Sequence, residues 1–509
     1  LSETTATYAP ETERSAENPA DLRECPQCGL ISLLPRMRPE LVADCPRCSH
    51  TLWRMRSRPF EFPIACGLAA ALFYLYALVA PFLEITAYGR FQLARIETGP
   101  VQLSAQGYQW VGLLVLGCTV ILPGVKLALM LTTLIGLRTR LLPPRLLKFL
   151  FRWYVPIGPW AMVDVYLLGF LVAYTRLIVI ADVHLDTAVY SLIGLMISMA
   201  AADAALDNEA VWRALDLAET GAPAAHDALH GPAAALPANQ RPYDAGYIGC
   251  HCCELVNLAE PGERCLRCRA TLRPRKTDSI ARGWAFTIAA IALYIPANIY
   301  PVMQTTELAQ TTSYTIMGGI FELIDYGLWP LALLVFVASI TIPLMKLLIL
   351  IYMLLTTQNR SAEHLIGRTI AFRVIDFIGR WSMIDVFMIS ILVALVRFQQ
   401  FANINAEAGA PCFAAVVVLT MFAVEAFDPR LMWDASSKQG QGALPPGPPL
   451  RAEPLEPARF LKGARHPGRG EPRASAFQKP YYRIPKAQPL VGGPGGQSPP
   501  GLAFVEASK

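Results

Sequence analysis

Two cysteine quartets, each set ahead of a block of apolar segments, limit what this chain can fold into more than any other feature. Cys25-Pro26-Gln27-Cys28 and Cys45-Pro46-Arg47-Cys48 precede the first block, and Cys250-His251-Cys252-Cys253 and Cys265-Leu266-Arg267-Cys268 precede the second. Sixteen residues separate the pairs of the first quartet and eleven those of the second. Four thiolates in two C-x-x-C knuckles suit tetrahedral Zn2+, and a closed four-sulfur site is structural rather than catalytic. The expected ligands are Cys25, Cys28, Cys45 and Cys48 at one site and Cys250, Cys253, Cys265 and Cys268 at the other, with Cys252 a spare sulfur. An iron–sulfur or redox role is the competing reading in a reducing cytosol.

The 509 residues are 54% hydrophobic and only 16% charged, with a mean hydropathy of +0.37. That balance points to a polytopic membrane protein. Spans are expected at about 62–83, 109–136, 157–181 and 185–206, and again at about 281–303, 328–356, 378–400 and 411–427. The net charge of +5 is small enough to reflect basic loops and does not call for nucleic acid. Residues 1–24 are polar and lack the apolar core of a secretory signal.

The two blocks match in order at an offset of about 220 residues. Tyr74 matches Tyr294, Pro123-x-x-Lys126 matches Pro343-x-x-Lys346, and Trp160-Ala-Met-Val-Asp164-Val matches Trp381-Ser-Met-Ile-Asp385-Val. Asp207 and Trp212 match Asp428 and Trp433. The expected fold is therefore an all-α polytopic membrane protein of two tandem four-helix transmembrane repeats, each preceded by a small cytoplasmic zinc ribbon. The domains read as a disordered N-terminus (1–24), zinc ribbon 1 (25–58), transmembrane repeat 1 (59–207), a cytoplasmic linker (208–249), zinc ribbon 2 (250–275), transmembrane repeat 2 (276–434) and a disordered Pro/Gly-rich basic tail (435–509). An even number of spans sets both repeats the same way up. The stretch 137–156 holds Arg138, Arg140, Arg145, Lys148 and Arg152 without an acid, and reads as a cytoplasmic loop. The same rule places both metal modules and both termini in the cytoplasm, and the loops at about 84–108 and 304–327 outside.

Charges inside spans are costly unless paired or wetted. Lys126 lies about ten residues (~15 Å) from the cytoplasmic end of its span, and Asp164 about seven (~10 Å) from the same end of the next. A Lys126–Asp164 contact is feasible at those depths, as is Lys346–Asp385. Such pairs serve to lock helix packing, to form a substrate or proton pathway, or to snorkel to the interface. Pro123 and Pro343 sit mid-span and permit a kink, while Trp160 and Trp381 read as interfacial anchors.

The sequence has no G-x-x-x-x-G-K-[ST], no G-x-S-x-G and no H-E-x-x-H, so it does not read as an enzyme. The order of modules, Cys-Pro-x-Cys-Gly-Leu at 25–30, Trp-x-Met-[Val/Ile]-Asp-Val at 160–165 and 381–386, and Phe427-Asp428-Pro429-Arg430 together resemble the paraquat-inducible protein A family of Gram-negative inner membranes. The resemblance covers about residues 25–434. It implies an inner-membrane subunit of an intermembrane lipid transport system. Such a subunit hands phospholipid to or from a periplasmic MCE-domain tunnel protein and supports envelope integrity. By matching position it makes the eight cysteines ligands of two structural Zn2+ ions, and Lys126, Asp164, Lys346 and Asp385 an intramembrane polar network. Two other functions stay open: a membrane redox or stress-response protein using its cysteine pairs, and a passive anchor for a periplasmic partner.

Overall fold

A helix of 18 residues rises about 27 Å, close to the thickness of a bilayer's hydrocarbon core. The computed structural model has, among its described residues, eight helical stretches long and apolar enough to cross: Glu61–Val79, Gln109–Thr139, Pro144–Thr175, Thr187–Ala205, Ser279–Ile299, Trp329–Gln358, Leu365–Ala394 and Gly409–Ala426. Residues 22–34, 42–87, 90–178, 182–220, 246–307, 310–395 and 402–439 are described. They lie in one unit, Leu1–Glu453; the second, Pro454–Lys509, lies outside the described residues. So do residues 1–21, residues 221–245 of the linker expected at 208–249, and residues 440–509 of the tail expected at 435–509.

In the first block the helices are α1 (Glu61–Val79), α2 (Thr98–Ala105), α3 (Gln109–Leu116), α4 (Leu122–Thr139), α5 (Pro144–Ile157), α6 (Val163–Leu177), α7 (Thr187–Ala205) and α8 (Asn208–Thr220). The second block gives α9 (Ser279–Ile299), α10 (Ile316–Asp325), α11 (Trp329–Phe336), α12 (Ile342–Gln358), α13 (Leu365–Gly379), α14 (Ile384–Leu395), α15 (Gly409–Ala426) and α16 (Arg430–Gln439) in the same order.

Each mid-span proline has a specific local consequence. A π turn, Gly117–Ile121, joins α3 to α4, and another, Val337–Thr341, joins α11 to α12. Pro123 and Pro343 follow two residues later. Proline lacks an N–H and its ring collides with the carbonyl four residues back. Widening that turn relieves the collision without ending the helix. The hydroxyls of the matched tyrosines reach into these turns: Tyr74 donates to the Val120 carbonyl at 2.8 Å and Tyr294 to the Ile340 carbonyl at 3.4 Å.

The third span departs from expectation. Most of the basic stretch 137–156 is helix α5, which continues through a 3-10 turn at Gly158–Trp160 into α6. Leu147, Phe151 and Tyr154 recur at helical spacing on its buried face. The basic residues between them hide that periodicity from a reading based on charge. In the second block α13 leads into α14 through a 3-10 turn at Arg380–Met383.

The expected all-α class omits five small antiparallel sheets found among the described residues. In the first stretch expected to face outward, β5 (Leu83–Ala87) and β6 (Arg90–Ala94) form a hairpin, and β7 (Asp182–Leu185) adds to it in the order β6-β5-β7, with Leu83 opposite Leu185. In the second, β10 (Met303–Glu307), β11 (Gln310–Tyr314) and β12 (Ala402–Ala406) pair in the order β11-β10-β12, with Met303 opposite Ala406. Gln106, just past α2, ties the blocks together. Its Nε2 donates to Asn405 Oδ1 and its Oε1 accepts from the Ala406 N–H, both at 3.0 Å.

The halves meet where α6 crosses α14. A Cβ on Gly169 would press on the Ile384 carbonyl and on Phe387. Tyr166 meets Phe387 edge to face at 5.7 Å. The third span of the second block is 78% buried, against 22% for α1, which puts α14 at the centre of the bundle.

Candidate functional site

Every C-x-x-C pair sits in a tight turn of the same design. The pairs at 25 and 45 are held by the hairpins β1 (Leu22–Glu24) with β2 (Ile31–Leu33) and β3 (Val42–Asp44) with β4 (Thr51–Arg54). The pair at 250 is held by β8 (Tyr247–Gly249) with β9 (Val256–Leu258), and the pair at 265 by a bridge between Arg264 and Thr271. In each turn the first cysteine's carbonyl accepts from the N–H four residues on, at 2.9–3.0 Å, for Gly29, Ser49, Glu254 and Arg269. Those four residues have φ of 70°, 54°, 59° and 57°. Left-handed backbone costs a residue with a Cβ roughly 1–2 kcal/mol, so three of the four turns carry strain that the closed cluster offsets.

The sulfurs converge in two groups, Cys25/Cys28/Cys45/Cys48 and Cys250/Cys253/Cys265/Cys268, each with all four within 4.8 Å of one another. Within them Cys25–Cys48 and Cys28–Cys45 lie 3.5 Å apart, Cys250–Cys268 3.4 Å and Cys253–Cys265 3.5 Å. A tetrahedron with metal–sulfur bonds of ~2.3 Å has edges of about 3.8 Å, so the donor set fits Zn2+. All eight side chains are buried, which leaves no open coordination position. Burial and the neighbouring sulfurs push the Cys253 thiol well up, so four thiolates need a cation among them. Cys252 borders the second group without joining it: its N–H donates to the Cys250 sulfur at 3.5 Å, and its own sulfur is directed at the Arg152 carbonyl 3.9 Å away.

The modules are docked by buried charge. Arg267, between the last two cysteines, donates to Asp216 at 2.7 Å and to Glu209 at 3.0 Å, both on α8. Lys148 of α5 meets Asp216 and Glu219 at 2.7 Å each. Arg23 pairs with Glu209 and, at 2.9 Å, with Glu254. Burial would raise the Glu209 carboxyl, but Arg23, Arg267 and Arg213 outweigh it and hold it down at about 2. Docking is crossed: the first module also reaches the second block, where Arg373 of α13 donates to the Cys48 carbonyl at 2.8 Å. The guanidinium of Arg47 lies 5.4 Å over the Trp433 ring.

Of the four expected intramembrane charges, Lys126 does not meet Asp164. Its Nζ lies 2.5 Å from Asp203 Oδ2 on α7, and Tyr154 donates to Asp203 Oδ1 at 2.6 Å. Asp164 is exposed in the first turn of α6. Equal depth does not imply contact, because helix rotation turns Asp164 away. Lys346, fully buried, donates to Thr420 Oγ1 at 2.9 Å and to the Gly379 carbonyl at 3.4 Å. Asp385 is buried in the first turn of α14. Sequence reasoning missed Asp203, Tyr154 and Thr420. Asp203 was findable as a lone acid near the end of an apolar segment, but Val424 stands at its matched position, so comparison of the repeats passes over it.

Three curated relatives align along most of their length. The chain is 29% identical to "Intermembrane transport protein PqiA" of Escherichia coli (strain K12), over 81% of this chain and 95% of that one. It is 29% identical to "Lipophilic envelope-spanning tunnel protein A" of the same strain, over 82% and 92% respectively. It is 24% identical to "Probable intermembrane transport protein" of Haemophilus influenzae, over 82% and 96%. No solved structure matches. The pattern of the family described as Paraquat-inducible protein A fits residues 61–216 and again residues 280–437. Together these exceed half of the chain and coincide with the two blocks of spans, so this multi-pass membrane protein belongs to the paraquat-inducible protein A family.

Proposed function

We propose that this protein is the inner-membrane subunit of an intermembrane lipid transport system, handing phospholipid to or from a periplasmic MCE-domain tunnel protein. The observation that carries the reading is alignment over more than nine-tenths of relatives named for intermembrane transport and for an envelope-spanning tunnel. The transmembrane blocks are two tandem four-span repeats of the same orientation, preceded by zinc ribbons at 25–58 and 250–275. The ribbons and both termini are cytoplasmic. Each ribbon holds one structural Zn2+ through its four cysteines, which stiffens a module too small for a core of its own. Lys126, Lys346 and Asp385, buried in an otherwise apolar bundle, and Asp164 on its surface make up the intramembrane polar set, and charged groups at such depth mark transport pathways. No residue is assigned a catalytic role.

The test is a pull-down from membranes in mild detergent with mass spectrometry of the co-eluting proteins. A stoichiometric MCE-domain protein is the expected result. Recovery of the chain alone would overturn the lipid-bridge reading. Impaired growth under detergent stress in an Asp164→Asn, Asp385→Asn double variant, at normal protein level, would tie the intramembrane charges to it.

A further inference from the structure

We propose that the elbow between α4 and α5 is a docking surface for anionic phospholipid of the cytoplasmic leaflet. The proposal rests on the cytoplasmic placement given above. Helix α5 has two apolar faces. Leu147, Phe151 and Tyr154 are buried against the bundle. Leu146, Phe149 and Trp153, at intervals of three and four residues, are exposed on the other side, and Leu142 in the preceding turn extends their stripe. An exposed apolar stripe on a helix that leads directly into a span belongs in the acyl-chain boundary rather than in water.

The cations around this stripe say what lies above it. Arg138 and Arg140 end α4 and Arg145 begins α5, and all three are exposed. Among the described residues Arg145 is the one of the three that meets an acid, Glu219 at 3.2 Å, and its side chain remains 79% exposed. Lys148 is turned inward and neutralised by Asp216 and Glu219. The elbow thus presents a row of guanidinium groups at headgroup height beside an inserted stripe. Guanidinium forks match phosphate oxygens. The matched elbow of the second block shares the stripe, with Ile366, Ile370, Val374 and Phe377 exposed, but not the charge. Between 358 and 377 its arginines are interspersed with Glu363 and Asp376, and Arg368 is buried. The preference for anionic lipid is therefore a property of the first repeat alone.

The experiment uses the full chain in nanodiscs of phosphatidylcholine and phosphatidylglycerol in equal amounts. Lipids that stay bound after detergent release are counted by native mass spectrometry. Phosphatidylglycerol should be retained roughly fivefold or more over phosphatidylcholine, the factor expected from the attraction of even one basic side chain near an anionic surface. The triple variant Arg138→Gln, Arg140→Gln, Arg145→Gln should lose most of that preference, whereas Arg360→Gln in the second elbow should keep it. High salt during reconstitution should weaken it in the wild type. Equal retention of both lipids, or a preference that survives the triple variant, overturns the proposal. Self-association that the same substitutions abolish, with no lipid preference, would assign the face to a second copy and overturn the proposal as well. The lipid count does not depend on any periplasmic partner, so it and the pull-down fail independently.

Discussion

Lys126 and Asp203 form an ion pair at 2.5 Å between the second and fourth spans of the first block, with Tyr154 of α5 donating to the same carboxylate. The Lys126 side chain is 10% exposed and that of Asp203 is 42% exposed, so the pair stands at a boundary between protein and surroundings. Removing the carboxylate leaves a buried ammonium without its counter-charge. Asp203→Asn should cost about 1–2 kcal/mol, a figure already reduced for the exposure of Asp203. A double-mutant cycle with Lys126→Met, read by thermal unfolding in detergent, should give a clear coupling energy for Asp203 and none beyond error for Asp164.

Glu24 is a junction between parts of the chain far apart in sequence. Its carboxylate accepts from the Gly249 N–H at 2.9 Å, from Arg275 at 3.1 Å and from Arg430 at 2.9 Å. Glu24→Ala should destabilise by about 1–3 kcal/mol, because it leaves the Gly249 N–H without its acceptor and takes one of two carboxylates from Arg275 and from Arg430, which keep Asp434 and Asp428. Hydrogen exchange should quicken around 247–258 and 428–434 as well as in the first module. Loss of protection confined to 22–34 would show that the junction does not couple these parts.

Metal content tests the cysteine clusters directly. The purified chain should contain about two zinc ions, falling to about one in Cys25→Ser and again in Cys265→Ser. Cys252→Ser should leave the count unchanged, since its sulfur lies outside the group of four that converge and is directed at the Arg152 carbonyl. Inductively coupled plasma mass spectrometry reads each case.

Glu209 gives a pH dependence with a definite sign. Its folded pKa of about 2 lies below the ordinary carboxylate value of 4.5. Its contribution to stability is thus fully present above about pH 4.5 and is lost as pH falls toward 2. That difference corresponds to about 3 kcal/mol near neutrality. Glu209→Gln should therefore melt lower than wild type from pH 8 to 5, and the two melting curves should converge as acid is added. A constant gap down to pH 3 would assign the loss to packing and not to charge.

The sequence by itself determined the elements that depend on neighbours along the chain. Cysteine spacing dictated which eight sulfurs gather, because a C-x-x-C turn is closed by its own backbone hydrogen bonds. Apolar length dictated eight spans. The order of Tyr74, Pro123 and Lys126 recurs in Tyr294, Pro343 and Lys346, which lines up the two blocks in sequence. Only the tertiary structure decided what depends on rotation and on distant partners. Strand β7 lies about 90 residues after the hairpin it joins, and its polar sequence reads as loop until β5 offers an edge to pair with. Helix α5 looked like a basic loop because its Lys148 is neutralised by acids on α8, some 70 residues away. Lys126 pairs with Asp203 and not with Asp164 because a helix presents one face to each neighbour, and depth along the axis says nothing about that face. The crossed docking through Glu24 and Arg430 has the same origin: a charge in a short strand shows its partner only when the chain has folded back on itself.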